Sequence, residues 1–175
     1  MSFPSLRKVD ITVPGVGLDL FHFMEAPGLL DLRLDGWRAD YKPDEDGLRA
    51  GVDMCYILGR TARRSRRLRE LELCFFKLLA QSHHYETLLC GELFPRLKEL
   101  VLNTVNITNV AFFASEGIRT KMVKMEMIGC KHVTTQALCD FVEGKNSGFV
   151  VMVKNCSGVL SVPQNLDLTL LVVNP

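Results

Sequence analysis

The stretch Arg66-Arg67-Leu68-Arg69-Glu70-Leu71-Glu72-Leu73 and the stretch Pro95-Arg96-Leu97-Lys98-Glu99-Leu100-Val101-Leu102 are two copies of one frame, L-x-x-L-x-L, and that frame decides the fold. Its second and third apolar places alternate with polar ones, as in a short strand that buries one face and shows the other to water. Working outward, Pro4 to Ile11 (PSLRKVDI) and Pro27 to Leu34 (PGLLDLRL) carry the same frame, with Val or Ile at some apolar places. Weaker copies run Met122, Met125, Met127 and Gly148, Val151, Val153, and a last one runs Leu166, Thr169, Leu171, Asn174. First positions of successive copies lie 23, 39, 29, 25 and 26 residues apart. A strand with one apolar face cannot hide it alone, whereas stacked copies can, and parallel strands require a crossover of about a dozen residues or more between them.

The intervening segments supply such crossovers. Leu48, Val52, Cys55 and Tyr56 recur at helical spacing, and Thr108-Asn109 caps a short helix that carries Val110 and Phe113 and stops at Gly117. Tyr85 to Leu93 and Phe21 to Glu25 are two further short helices, the second closed by Ala26-Pro27. The composition agrees with a packed fold. Of 175 residues, 47% are hydrophobic and 23% charged, with 21 Lys and Arg against 20 Asp and Glu, which excludes disorder and a polyanion-binding tail. A chain of this length buries about two-thirds of its unfolded surface and needs no disulfides. The six cysteines form no C-x-x-C pair and read as reduced core thiols. The first residues show no secretory leader pattern, and the apolar runs Phe149 to Val153 and Leu170 to Val173 are too short to span a bilayer, so the expected location is cytoplasmic or nuclear, with no membrane partner.

The fifth copy continues Met127-Ile128-Gly129-Cys130-Lys131-His132-Val133-Thr134-Thr135-Gln136-Ala137-Leu138-Cys139-Asp140-Phe141. This run resembles the cysteine-containing leucine-rich repeat of F-box proteins, and openings such as Phe94-Pro95-Arg96-Leu97 resemble the irregular repeat region of the fungal members. The resemblance implies that Cys130 turns the chain inward, Val133 packs beneath it and Thr134 caps the next helix. It further implies an α/β leucine-rich-repeat solenoid, a right-handed β-α superhelix with a concave parallel sheet, made of a single domain over residues 1–175 with about six irregular repeats. The implied function is a protein recognition module like the substrate-binding region of an F-box subunit of a ubiquitin ligase. The alternative is a free-standing leucine-rich-repeat scaffold. The chain opens directly in repeat-like sequence, so a ligase adaptor is expected as a partner only if an F-box is encoded upstream. Both ends of the stack read as uncapped, and self-association is expected.

In this frame the residues flanking the strand leucines display one face, on which seven carboxylates meet four basic groups for a formal charge of −3. Six strands at about 4.8 Å give a surface of roughly 24 Å, enough for some seven extended residues. The candidate partner-binding residues are Asp31, Arg33, Asp35, Glu70, Glu72, Cys74, Glu99, Asn103 and Glu126, and the expected partner is a protein client, in particular a basic segment. Cys74 stands on this face, so its alkylation is expected to report whether the face is open. The run Arg60 to Arg69 holds six arginines and reads as the solvated end of a helix, where cations suit the negative pole; nucleic acid is not an expected partner. His83 and His84 are adjacent and lack ligand spacing, and no Gly-rich phosphate loop, G-x-S-x-G or H-E-x-x-H appears. Neither metal, cofactor nor catalytic residue is expected. Phe75-Phe76 and Phe112-Phe113 read as core fillers, and Trp37 as packing against the next unit.

Overall fold

The computed structural model describes residues 1–12, 23–35, 58–74, 88–89, 91, 93–113, 121–143, 145, 148–159 and 169–173. Seven strands of five residues each, β1 (Lys8–Thr12), β2 (Asp31–Asp35), β3 (Glu70–Cys74), β4 (Glu99–Asn103), β5 (Lys124–Ile128), β6 (Val150–Lys154) and β7 (Thr169–Val173), form one parallel sheet in sequence order. Two helices are delimited, α1 (Asn109–Phe113) between β4 and β5 and α2 (Thr135–Glu143) between β5 and β6.

The register explains why these residues are strands. Leu32, Leu71, Leu100, Met125 and Val151 stand opposite one another across β2 to β6, as do Leu34, Leu73, Leu102, Met127 and Val153. None of these ten side chains is more than 2% exposed. Each apolar pair is thus roofed by those of its two neighbours, which offsets the ordering entropy that a lone five-residue strand cannot meet.

Strands β1 to β5 begin with shared devices. The amide N–H groups of Leu6, Leu29, Leu68 and Leu97 donate to carbonyls three residues earlier, closing a turn just before β1 to β4. Two successive N–H groups then donate to one carbonyl of the preceding unit. Leu30 and Asp31 donate to Arg7, Arg69 and Glu70 to Leu30, Lys98 and Glu99 to Arg69, and Val123 and Lys124 to Lys98, at 2.8–3.1 Å. The exits repeat as well. Thr104, Gly129 and Asn155, each the first residue after β4, β5 and β6, have φ of 54°, 63° and 55°. The Thr104 N–H donates to the Ile128 carbonyl (2.6 Å) and the Gly129 N–H to that of Lys154 (2.9 Å), so the ladder runs one rung past the strands.

The layer beneath is apolar. Ala137, Leu138, Phe141 and Val142 of α2 are buried, and Phe141 meets Phe112 of α1 and Phe149 edge-on, with ring centroids 5.2 and 6.0 Å apart. The Thr134 hydroxyl accepts the Ala137 N–H (3.4 Å) as an N-cap, and the Thr134 N–H donates to the Asn109 side chain (2.9 Å), tying α2 to the unit before it. Helix α1 buries Ala111 and Phe112, while Val110 and Phe113 are 54% and 47% exposed, so of the Phe112-Phe113 pair expected as core fillers only Phe112 enters the core. A helix of five residues has too few turns for periodicity to fix its orientation.

Two further expectations change. The anticipated leucine-rich-repeat solenoid, a superhelix with a concave sheet, is corrected to an open parallel sheet that ends at β1 and β7 among the described residues and has no curled, horseshoe form. Uniform curvature requires equal units with a regular outer layer, and here strand starts are 23 to 39 residues apart along β1 to β6. The last frame is also shifted. Leu170 pairs with Val151 and Val172 with Val153, so Thr169 and Leu171 fall in the other rows, and a slip of one residue inverts a whole strand. The helices expected around Leu48 to Tyr56 and Tyr85 to Leu93, the pair Phe75-Phe76, and Trp37 lie wholly or mainly outside the described residues. Among the described residues no helix is long and apolar enough to cross a membrane.

The exit turns give a paired prediction. A Cβ on Gly129 would sit 3.1 Å from the Thr104 Oγ1 in a left-handed backbone, so Gly129→Ala should destabilise by about 1–2 kcal/mol. Thr104→Gly should instead stabilise by up to about 1 kcal/mol by releasing a β-branched residue from positive φ. Urea unfolding midpoints moving in opposite directions check both.

Candidate functional site

On the face opposite the leucine rows the register sets out three polar rows. The first runs Lys8, Asp31, Glu70, Glu99, Lys124, Val150; the second Asp10, Arg33, Glu72, Val101, Glu126, Met152; the third Thr12, Asp35, Cys74, Asn103, Ile128, Lys154. All nine residues singled out from the sequence therefore stand on one face, because strand side chains alternate and the in-line register keeps the alternation in phase. Much of it reaches solvent. Glu70 is exposed, Asp31, Arg33, Glu72, Glu99, Asn103 and Glu126 are half-buried, and Asp35 and Cys74 are buried.

Most of the charge is balanced within the face. Arg33 occupies the centre of one group, with its guanidinium 3.0 Å from Asp10, 2.9 Å from Asp35 and 3.3 Å from Glu72. Chiefly through the hydrogen bond to Asp10, its pKa rises further above the ordinary arginine value. Lys154 reaches Glu126 at 2.6 Å, and Lys124 sits between Glu99 (3.5 Å) and Glu126 (3.9 Å). Partly exposed pairs of this kind are each worth on the order of 1 kcal/mol, so the network orders the face more than it stabilises the fold. Two carboxylates stand apart. Asp31 and Glu70 lie opposite each other in the first row, with Glu99 next in line, and neither has an ion-pair partner among the described residues. Like charges in directly opposed cross-strand positions repel, and an external cation relieves that repulsion.

Cys74 departs from the expectation for an open face. It is 0% exposed, and its thiol donates to the Glu72 carboxylate at 3.2 Å. Burial first, and then that hydrogen bond, push its pKa up to about 12, so it is a protonated, shielded thiol and no reporter of access. Cys130 and Cys156 form a sulfur pair beneath the exit turns. The Cys130 N–H donates to the Cys156 sulfur (3.3 Å), and the thiols donate to the carbonyls of Leu102 and Lys154, both at 3.4 Å. Both are buried packing groups, with Cys130 held protonated by its hydrogen bond to Cys156 and by burial. Among the described residues no group of three His, Cys, Asp or Glu side chains could hold a metal ion. His132 is exposed, and His22, His83, His84, Cys55 and Cys90 lie outside the described residues.

No family model, no curated protein and no solved structure matches this chain. The resemblance to the leucine-rich repeats of F-box proteins is overturned on that finding and on the open, uncurled sheet. With it go the inferred recognition of substrates for a ubiquitin ligase and the alternative of a free-standing leucine-rich-repeat scaffold. The physical reason is that L-x-x-L-x-L is demanded by any five-residue parallel strand that follows a turn and buries one face. Likewise, a buried small residue after the strand and a Thr cap on the next helix answer to local packing and capping in any lineage.

The Cys74 environment yields a pH prediction. A thiol near 12 when folded and near 9 when unfolded stabilises the fold fully below pH 9, and that contribution is lost as pH rises from 9 toward 12. Urea unfolding midpoints between pH 8 and 10.5 should fall for the wild type and fall less steeply for Cys74→Ala. Equal slopes would place the shift elsewhere.

Proposed function

We propose that the chain is a binding module and not an enzyme, and that its polar sheet face receives an extended basic protein segment across the row Asp31, Glu70, Glu99. The observation that carries this reading is that, among the described residues, the first-position row of an all-parallel sheet reaches solvent, with Glu70 exposed and Asp31 and Glu99 half-buried. Such sheets are almost always covered on both faces, and here one face presents half-exposed charged rows to solvent. Among the described residues Arg33, Lys124 and Lys154 already pair with the neighbouring carboxylates, Glu99 included, which leaves Asp31 and Glu70 as the carboxylates of this row without an ion-pair partner.

The geometry suits such a ligand. The three carboxylates span two strand spacings, about 10 Å. An extended chain repeats side chains on one side every 6.6–6.8 Å or so, placing two cations over three carboxylates. Val101, Ile128 and Met152, half-buried among the charged positions, offer apolar contact to the methylene stems of lysine or arginine. The absence of any disulfide among the described cysteines Cys74, Cys130, Cys139 and Cys156 accords with a reducing compartment, cytoplasmic or nuclear.

The test uses a labelled decapeptide of alternating lysine and serine. Anisotropy titration at low salt should show saturable binding that weakens about tenfold in Asp31→Asn/Glu70→Gln, as two lost charge contacts of about 0.5–1 kcal/mol each require. Equal affinity for wild type and variant overturns the proposal.

A further inference from the structure

The turns that lead into the strands carry the opposite charge. Aligned by the register, Arg67, Arg96 and Lys121 each stand three residues before β3, β4 and β5, and Arg69 and Lys98 stand one residue before β3 and β4. Arg66 adds a sixth cation, and all six are exposed. Residues 65–69, 94–98 and 121–123 contain no carboxylate. The ion pairs of the described residues are made elsewhere, by Arg33, Arg64, Lys124 and Lys154.

This grouping differs from the solvated helix end expected for the arginine run. Residues 58–64 are helical, and Arg64 turns back to the Met24 carbonyl (3.1 Å) and Glu25 (3.8 Å). Arg66, Arg67 and Arg69 lie beyond that helix, in the turn before β3. Their backbone is pinned, since the Leu68 and Leu97 amides close the turns and the carbonyls of Arg69 and Lys98 each accept two N–H groups from the next unit. The cations are therefore mounted on a fixed ladder at the strand spacing.

We propose that this ridge binds the phosphate backbone of double-stranded nucleic acid without reading its sequence. From β3 to β5 the ridge covers two strand spacings, about 10 Å, over which a duplex carries about six negative charges. The linear charge densities match. The one aromatic residue in these turns, Phe94, is buried, so there is no platform on which the bases of a single strand would stack. Leu68, Leu97 and Met122 are buried too, leaving Val123 and Pro95 as the apolar groups facing outward, too few to enter an acyl layer. Backbone contacts by Arg and Lys fix position and carry no sequence information. Glu70 and Glu99, at the start of the strands, repel the same duplex and confine it to the turns.

The experiment measures anisotropy of a labelled 20-base-pair DNA duplex of arbitrary sequence with the full chain from 50 to 200 mM salt. The expected result is saturable binding that loses about 10²-fold or more in affinity over that range and is indifferent to sequence. Arg66→Ala/Arg67→Ala and, separately, Arg96→Ala/Lys98→Ala should each weaken binding at least tenfold at 50 mM salt and lower the salt slope by about 2. Lys131→Ala, on an exposed residue outside the ridge, should change neither. Because the substituted side chains are exposed, unchanged thermal melts should accompany the losses. No duplex binding at 50 mM salt, binding retained by both double variants, or capture by phosphatidylserine vesicles in place of the duplex overturns the proposal.

Discussion

Each strand of this sheet is five residues long, and β2 to β6 each turn two buried apolar side chains inward, so none of these strands has a reason to exist apart from the one beside it. The constraint on which the structure depends is therefore the in-line parallel register that seats Leu71 on Leu32, Leu100 on Leu71 and Met125 on Leu100. Removing a side chain from the interior of such a column costs about 2–5 kcal/mol, a large share of the stability of a typical domain. The doubled N–H contacts to single carbonyls before the strands, and the left-handed residues after them, serve the same end by fixing where each strand may start and stop.

The register also organises the outer surface. Because every strand is in phase, charges that are distant in the chain become neighbours at strand spacing. Arg33 gathers carboxylates from β1, β2 and β3, and Lys124 and Lys154 do the same for β4 and β5. What remains among the described residues is polarised, with carboxylates outside these ion pairs at the first positions of β2 and β3 and cations in the turns just before β3, β4 and β5. A nearly neutral protein thus presents two surfaces of opposite sign a few residues apart.

The strand frames of β1 to β6 were legible because apolar alternation after a turn is a strong local signal, and the same alternation assigned Asp31, Glu70, Glu72 and Glu99 to one face. The frame slipped by one residue at β7, where Leu166-x-x-Thr169-x-Leu171 and the true pairing through Leu170 and Val172 are nearly equal as patterns. The burial of Cys74 was not legible, since it stands on a polar row and its shielding is a matter of tertiary contacts. Nor was the alignment of Arg67 with Arg96 and Lys121, although placing the frames under one another at Leu68, Leu97 and Met122 would have found it. The resemblance to the leucine-rich repeat fails for a physical reason. Leucine spacing and a buried cysteine at the exit turn report how a strand packs and leave open both lineage and overall curvature.

The in-line parallel register is the claim to test most directly, by inter-strand nuclear Overhauser contacts in isotopically labelled protein. Backbone cross-peaks should link Leu71 to Leu100 and Leu100 to Met125 in the amide-to-Hα pattern of parallel strands. Strong Hα-to-Hα peaks of antiparallel pairing, or contacts from Leu100 that skip both β3 and β5, would contradict the account.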